Sequence, residues 1–132
     1  MDQNSQTQNN SKKILVVDDD MYIRDIYEEV LKAEGFIVET AIDGEAGLAK
    51  LQKGGYSVIL LDVMMPKKDG IGVLTSLQAA PPEIANGPIL LLTNLGHDTV
   101  IKEALRLGAV TYLNKADMTP EDLLQQVKKY VN

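Results

Sequence analysis

The sequence predicts an α/β fold in which helices cover both faces of a five-stranded parallel sheet, a doubly wound arrangement. Residues 14–17, 58–61 and 89–92 are short runs of four aliphatic residues. Such runs are apolar on both faces, which is typical of central strands in a parallel sheet. Segments with helical spacing of apolar residues alternate strictly with the strands, and this alternation implies right-handed crossovers.

The remaining elements follow from composition and from start and stop signals. Residues 36–41 and 110–114 are more mixed and are predicted as strands nearer the sheet edges. Helices are predicted over residues 21–34, 44–53, 70–80 and 97–107, and a fifth from residue 120 onward. Gly35 and Gly108 are typical helix stops, and Asp43 is a capping residue. Thr119, a proline and an acidic residue at the third helical position predict the start of the fifth helix.

Composition limits the classes of function. The chain has 132 residues, a formal net charge of −6 and no cysteine, which excludes disulfides and thiolate chemistry and disfavours binding to phosphate backbones or anionic membranes. Residues 1–12 contain no apolar stretch and predict a polar disordered tail, not a secretory signal. Residues 13–132 are predicted to form one domain. No apolar segment reaches the roughly 18 residues of a membrane span, so a cytoplasmic protein is expected.

Chemically active residues gather where the predicted strands end. Because the carboxyl ends of parallel strands meet at one edge of the sheet, these side chains are expected to converge. Mutually repelling carboxylates in a cleft require protonation or a cation, and oxygen ligands favour Mg²⁺ first and Mn²⁺ second. The residues at these ends are Asp18, Asp19 and Asp20, then Asp62, then Thr93 and Asn94, and finally Lys115.

Four stretches in this order resemble the receiver domain of two-component response regulators, over residues 13–131. They are ILVVDDD, VILLDVMMPKKDG, PILLLTN and GAVTYLNKAD. The resemblance implies a flavodoxin-like fold with strand order 2-1-3-4-5. It also implies that Asp18, Asp19, Asp62 and the backbone carbonyl of Met64 bind Mg²⁺, with Mn²⁺ as a possible substitute. Asp20 is instead expected to begin the first helix.

The same resemblance assigns the phosphoryl chemistry and the switch. It makes Asp62 the phosphoacceptor, places the Thr93 hydroxyl toward the phosphoryl oxygens, and makes Lys115 the cation that neutralises their charge. A carboxylate nucleophile, a divalent cation and an ammonium suit in-line phosphoryl transfer. Thr93 and Tyr112 are implied to form the two-state element that responds to phosphorylation.

The implied partners are a sensor histidine kinase or a histidine phosphotransfer protein as donor, and an unknown protein as downstream target. No nucleic acid, membrane or enzymatic output is expected. The chain is therefore expected to be a stand-alone receiver that assists its own phosphorylation and dephosphorylation without being an enzyme.

Two positions depart from the family pattern. The lysine is usually followed by proline, whereas Ala116 follows Lys115 here. A cis peptide costs a non-proline residue about 2.5–4 kcal/mol, so a trans bond is expected, and the position of the Lys115 amine is left open. Asn94 stands where the family prefers a very small residue. His97 is predicted to be a surface residue.

The main alternative from another class is a haloacid-dehalogenase-type phosphatase with Asp18 as nucleophile. That class requires Asp-x-Asp-Gly-Thr after the first strand, whereas residues 18–22 read DDDMY. A flavodoxin-like cofactor module is disfavoured because three aspartates would repel a flavin phosphate. A degenerate receiver is disfavoured because every key position is filled.

Overall fold

A computed structural model describes residues 12–94 and 98–131, and its centre is one parallel sheet of five strands. The strands are β1 (Lys13–Val17), β2 (Ile37–Ala41), β3 (Val58–Asp62), β4 (Ile89–Thr93) and β5 (Thr111–Asn114). Their order across the sheet is β2-β1-β3-β4-β5. The predicted fold class and strand order are confirmed, and the two strands of mixed composition lie at the edges.

In the described part of the chain an α-helix follows each strand, so four helices connect successive strands and a fifth follows β5. They are α1 (Met21–Ala33), α2 (Gly44–Lys53), α3 (Gly70–Ala79), α4 (Asp98–Arg106) and α5 (Pro120–Tyr130). The side chains of Asp20, Asp43 and Asp69 accept backbone N–H groups at the starts of α1, α2 and α3. Thr119 and Asp122 form a reciprocal capping box at α5. These side chains satisfy helix-end N–H groups that have no partner within the helix, and the predicted starts are confirmed.

The predicted boundaries agree with the observed ones to within one residue. Helices α1 and α3 end one residue early, because Glu34 and Ala80 are their caps. Phe36 precedes β2, since its N–H donates to the carbonyl of Leu31 at the end of α1. A short 3₁₀ turn after β5, Lys115–Asp117, was not predicted. The predictions for the tail, up to residue 11, and for His97 lie outside the described residues.

The core has two layers, one on each face of the sheet. Alternate residues of each central strand point to opposite faces, as the pleat requires. One layer packs strand residues such as Ile14 and Leu60 against α1 and α5. The other packs strand residues such as Leu15 and Leu61 against α2, α3 and α4. The doubly wound arrangement is confirmed, and it brings the carboxyl ends of β1, β3, β4 and β5 to one edge of the sheet.

Candidate functional site

Two buried carboxylates and one ammonium meet at the carboxyl edge of the sheet. Asp18 follows β1 and is fully buried, and Asp62 ends β3 and is 4% exposed. The Lys115 amine, just after β5, lies 3.0 Å from Asp18 Oδ2 and 3.1 Å from Asp62 Oδ2. The predicted convergence is confirmed. The Lys115–Ala116 peptide is trans, and the ammonium bridges both carboxylates although no proline follows it.

A third carboxylate completes an acidic cluster suited to a metal ion. Asp18, Asp19 and Asp62 each offer a carboxylate oxygen, and these oxygens lie within 4.8 Å of one another. Asp19 is the exposed member, whereas the other two are buried. Three carboxylates against one ammonium leave an excess of negative charge, and carboxylate oxygens are the ligands that Mg²⁺ prefers. The donor set therefore fits the predicted metal.

The pKa values of both Asp62 and Lys115 are raised, but for different reasons. Burial, together with the negative charge of Asp18, raises the pKa of Asp62 to about 6, although Lys115 and the N–H of Met64 act against that rise. Burial alone would lower the pKa of Lys115, but Asp18 and Asp62 more than offset it, and the pKa is raised above its ordinary value. Lys115 therefore stays cationic at neutral pH. Asp62 is mostly ionised at that pH, although its buried position disfavours the ionised form.

The segment after β3 is fixed at both ends. The N–H of Met64 donates to Asp62 Oδ1 at 3.1 Å, and the Met64 side chain is exposed. Farther along, a Cβ added at Gly44 would lie 1.7 Å from the carbonyl oxygen of Lys68, so only glycine lets this segment pack on the start of α2. Met64 thus lies at the rim, as predicted, and the role of its carbonyl as a metal ligand stays a prediction.

The two residues of the predicted switch lie at β4 and β5. Thr93 is buried, and its hydroxyl donates to the carbonyl of the exposed Asn94 at 2.8 Å. Tyr112 is 51% exposed. Its side chain borders a shallow groove of about 230 Å³ beside α4, lined also by Asp98, Ile101, Lys102 and Leu105. Thr93 is thus at the same strand edge as Asp62, and its switching role stays a prediction.

Two contacts to the acidic loop were not anticipated from the sequence. The N–H of Asp20 donates to Asp18 Oδ1 at 2.9 Å. Nη1 of Arg24, one helical turn into α1, donates to the backbone carbonyl of Asp18 at 2.8 Å. Helical spacing places Arg24 above the loop. However, no feature of the sequence indicates that its long side chain contacts a backbone carbonyl there.

Comparison with known families agrees with this geometry. A family model described as the response regulator receiver domain matches residues 14–128. The chain belongs to the response regulator receiver family. A chemotaxis protein CheY of Treponema pallidum is 34% identical over 106 residues, covering 78% of this chain and 72% of that protein. The dehalogenase-type alternative receives no support from these matches.

Longer relatives and solved receiver structures extend the likeness. A CpxR homologue of Haemophilus influenzae, named as a transcriptional regulatory protein, is 38% identical and covers 88% of this chain. The receiver spans about half the length, 48%, of that relative and of several others. A CheY-like receiver of Methanospirillum hungatei has a TM-score of 0.78 at 30% identity, covering 89% of this chain and 91% of that one. CheY4 of Vibrio cholerae has a TM-score of 0.77 at 34% identity, with coverages of 91% and 98%.

Proposed function

We propose that this receiver accepts a phosphoryl group on Asp62 in a Mg²⁺-dependent reaction and then presents an altered surface to a downstream protein. The donor is a sensor histidine kinase or a histidine phosphotransfer protein. The observation that carries the proposal is the single ammonium of Lys115 bonded to both Asp18 and Asp62, beside the exposed carboxylate of Asp19.

Each residue has a chemical task in that reaction. The Asp62 carboxylate is the nucleophile, and it is ionised at neutral pH because its pKa lies near 6. The Lys115 ammonium already lies 3.1 Å from Asp62 Oδ2, where it can neutralise charge on the transferred phosphoryl oxygens. Asp18, Asp19 and Asp62, with the carbonyl of Met64, would hold Mg²⁺. When bound, the ion supplies further positive charge to those oxygens.

The response would pass from the site to the groove beside α4. The Thr93 hydroxyl is bonded to its neighbour's carbonyl, so a phosphoryl group on Asp62 offers it a competing, charged acceptor. Movement of Thr93 toward Asp62 would free space at the end of β4, and the exposed ring of Tyr112 would turn inward. That change would alter the groove that Tyr112 borders, and we propose this surface as the one a downstream partner reads.

The proposed role is that of a phosphoacceptor, not of an enzyme acting on separate substrates. A net charge of −6 supports a protein partner over nucleic acid. Over residues 12–94 and 98–131, no helix is long and apolar enough to cross a bilayer. A cytoplasmic location stays a prediction.

Incubation with acetyl phosphate tests the proposal. Intact-protein mass spectrometry should show the gain of one phosphoryl group in Mg²⁺ and little gain in EDTA. Asp62→Asn should remove the gain, whereas Asp25→Asn, at an exposed position on α1, should leave it unchanged. A full gain in EDTA, or in the Asp62→Asn variant, would contradict the proposed reaction.

A further inference from the structure

The guanidinium of Arg24 contacts Asp18, a member of the acidic cluster, at its backbone oxygen. Its Nη1 donates to the carbonyl of Asp18 at 2.8 Å. Within the part of the chain that the structure describes, it forms no ion pair with a carboxylate. A cation four residues from the cap of α1 is also disfavoured by the helix dipole. The helix dipole therefore opposes a cation at this position, and the hydrogen bond to the Asp18 carbonyl offsets that cost.

The contact between Arg24 and the Asp18 carbonyl bears on the orientation of Asp19, the exposed member of the acidic cluster. Its carboxylate accepts no hydrogen bond from any described residue, so its direction depends on the two peptides that flank it. The peptide after Asp19 is held because the N–H of Asp20 donates to Asp18 Oδ1 at 2.9 Å. The peptide before it is held at its carbonyl by Arg24.

We infer that Arg24 is a positioning residue for the metal site, which fixes the Asp18–Asp19 peptide and so aims the Asp19 carboxylate. This inference rests on the proposed Mg²⁺ site. The guanidinium acts through the backbone carbonyl, so it occupies no carboxylate oxygen of Asp18, Asp19 or Asp62. A neutral residue of similar length would leave the Asp18 carbonyl without this donor and allow the peptide to rotate.

Charge and positioning predict opposite results at this residue. If Arg24 acted only through its charge, removing it would relieve repulsion of Mg²⁺ and tighten binding. If it positions Asp19, removing it should weaken binding by about tenfold, the lower end of the effect usual for groups that orient metal ligands. The sign of the change therefore distinguishes the two roles.

The experiment is a titration of the full chain with Mg²⁺, in which NMR and calorimetry measure the binding affinity. Arg24→Met removes the charge and the donors, and Arg24→Lys keeps the charge with one ammonium as donor; both residues are good helix formers. Arg106→Met, on α4 in a pair with Glu103, is the matched control. Arg24→Met should bind about tenfold more weakly, Arg24→Lys should be intermediate, and the control should match the wild type. In metal-free protein, the amide signals of Asp19 and Asp20 should move only in the Arg24 variants.

Affinity in Arg24→Met that equals or exceeds that of the wild type would overturn the inference. If thermal melting shows that Arg24→Met does not fold, the Mg²⁺ affinity of Arg24→Lys provides the test. An affinity of Arg24→Lys equal to that of the wild type would then also overturn the inference. Asp19→Asn separates this failure from failure of the proposed site. Wild-type protein that binds no Mg²⁺, or an Asp19→Asn variant that binds it normally, would reject the metal site itself and, with it, the role of Arg24.

Discussion

Replacing Asp62 by asparagine should stabilise the metal-free protein at neutral pH, although it removes the proposed phosphoacceptor. The side chain is almost completely buried beside the carboxylate of Asp18. Asparagine has the same shape, and its amide oxygen can still accept the N–H of Met64. The substitution removes the charge that burial and Asp18 disfavour, at the cost of one contact to Lys115.

The magnitude follows from the pKa of Asp62, which is raised from an ordinary 3.8 to about 6. One pKa unit corresponds to about 1.4 kcal/mol, so ionised Asp62 lowers the free energy of unfolding by about 3 kcal/mol at pH 7. This value already includes the attraction of Lys115, but the asparagine amide places an N–H group where Asp62 Oδ2 accepts from Lys115, and that lost contact offsets about 1–2 kcal/mol of the gain. A net stabilisation of about 1–2 kcal/mol is expected. A raised carboxyl pKa favours the folded state below pH 3.8, and this contribution is lost as the pH rises through 6. The advantage of Asp62→Asn should therefore grow between pH 4 and pH 6 and then level off.

Urea unfolding in EDTA at pH 4, 5, 6 and 7 measures this advantage. Asp25→Asn, at an exposed position, should change stability by less than about 0.5 kcal/mol at every pH. Saturating Mg²⁺ should favour the wild type, because the folded wild type binds the ion more tightly. Destabilisation of Asp62→Asn in EDTA at pH 7, or an advantage that does not vary with pH, would refute the reasoning.

Three further predictions concern the switch, the phosphoryl lifetime and the edge of the sheet. With the phosphoryl mimic beryllofluoride, NMR shifts should reach α4 and β5 in the wild type but stay near Asp62 in Thr93→Ala; equal spread in both would exclude the Thr93 switch. By the family resemblance, the residues two positions beyond Asp62 and two beyond Thr93 flank the route by which water attacks the acyl phosphate; they are Met64 and Leu95, which are apolar and cannot orient water. Met64→Asn combined with Leu95→Glu should therefore speed dephosphorylation about tenfold or more, equivalent to about 1.4 kcal/mol of barrier; a phosphate-release time course showing equal or slower loss would contradict this. Glu39 accepts the Tyr56 hydroxyl at 2.7 Å, and that bond lowers the pKa of Glu39. Its contribution is present above pH 4.5 and lost as the pH falls, so Glu39→Gln should cost about 0.5–1 kcal/mol at pH 7 and progressively less below pH 4.5 in urea unfolding.

The central strands were predictable because burial on both faces leaves an unmistakable apolar run. Residues 14–17, 58–61 and 89–92 all lie within observed strands. Boundaries were less predictable at residues such as Phe36, which is buried like a strand residue but is bonded to the end of α1. Apolar composition reports burial, whereas strand assignment depends on the hydrogen-bond partner, which the sequence does not reveal.

The site was predictable to the level of which residues meet. The positions of Asp18, Asp62 and Lys115 at predicted strand ends indicated that these residues meet, and they do. Asp20 was predicted to begin a helix instead of binding metal, and its side chain caps α1. The bridging position of the Lys115 ammonium was not predictable, because it depends on the 3₁₀ turn that begins at that residue. The contact of Arg24 was missed for a related reason, since a flexible side chain can choose between several acceptors within its reach.

Mapping the phosphorylated residue tests the central claim most directly. After incubation with acetyl phosphate and Mg²⁺, borohydride reduction of the acyl phosphate and peptide sequencing by mass spectrometry locate the modified aspartate. Modification at Asp62, with Asp18 untouched, is the result we predict, because only Asp62 is proposed as the nucleophile. Modification at Asp18 with Asp62 untouched would contradict the account and favour the nucleophile of the dehalogenase-type alternative.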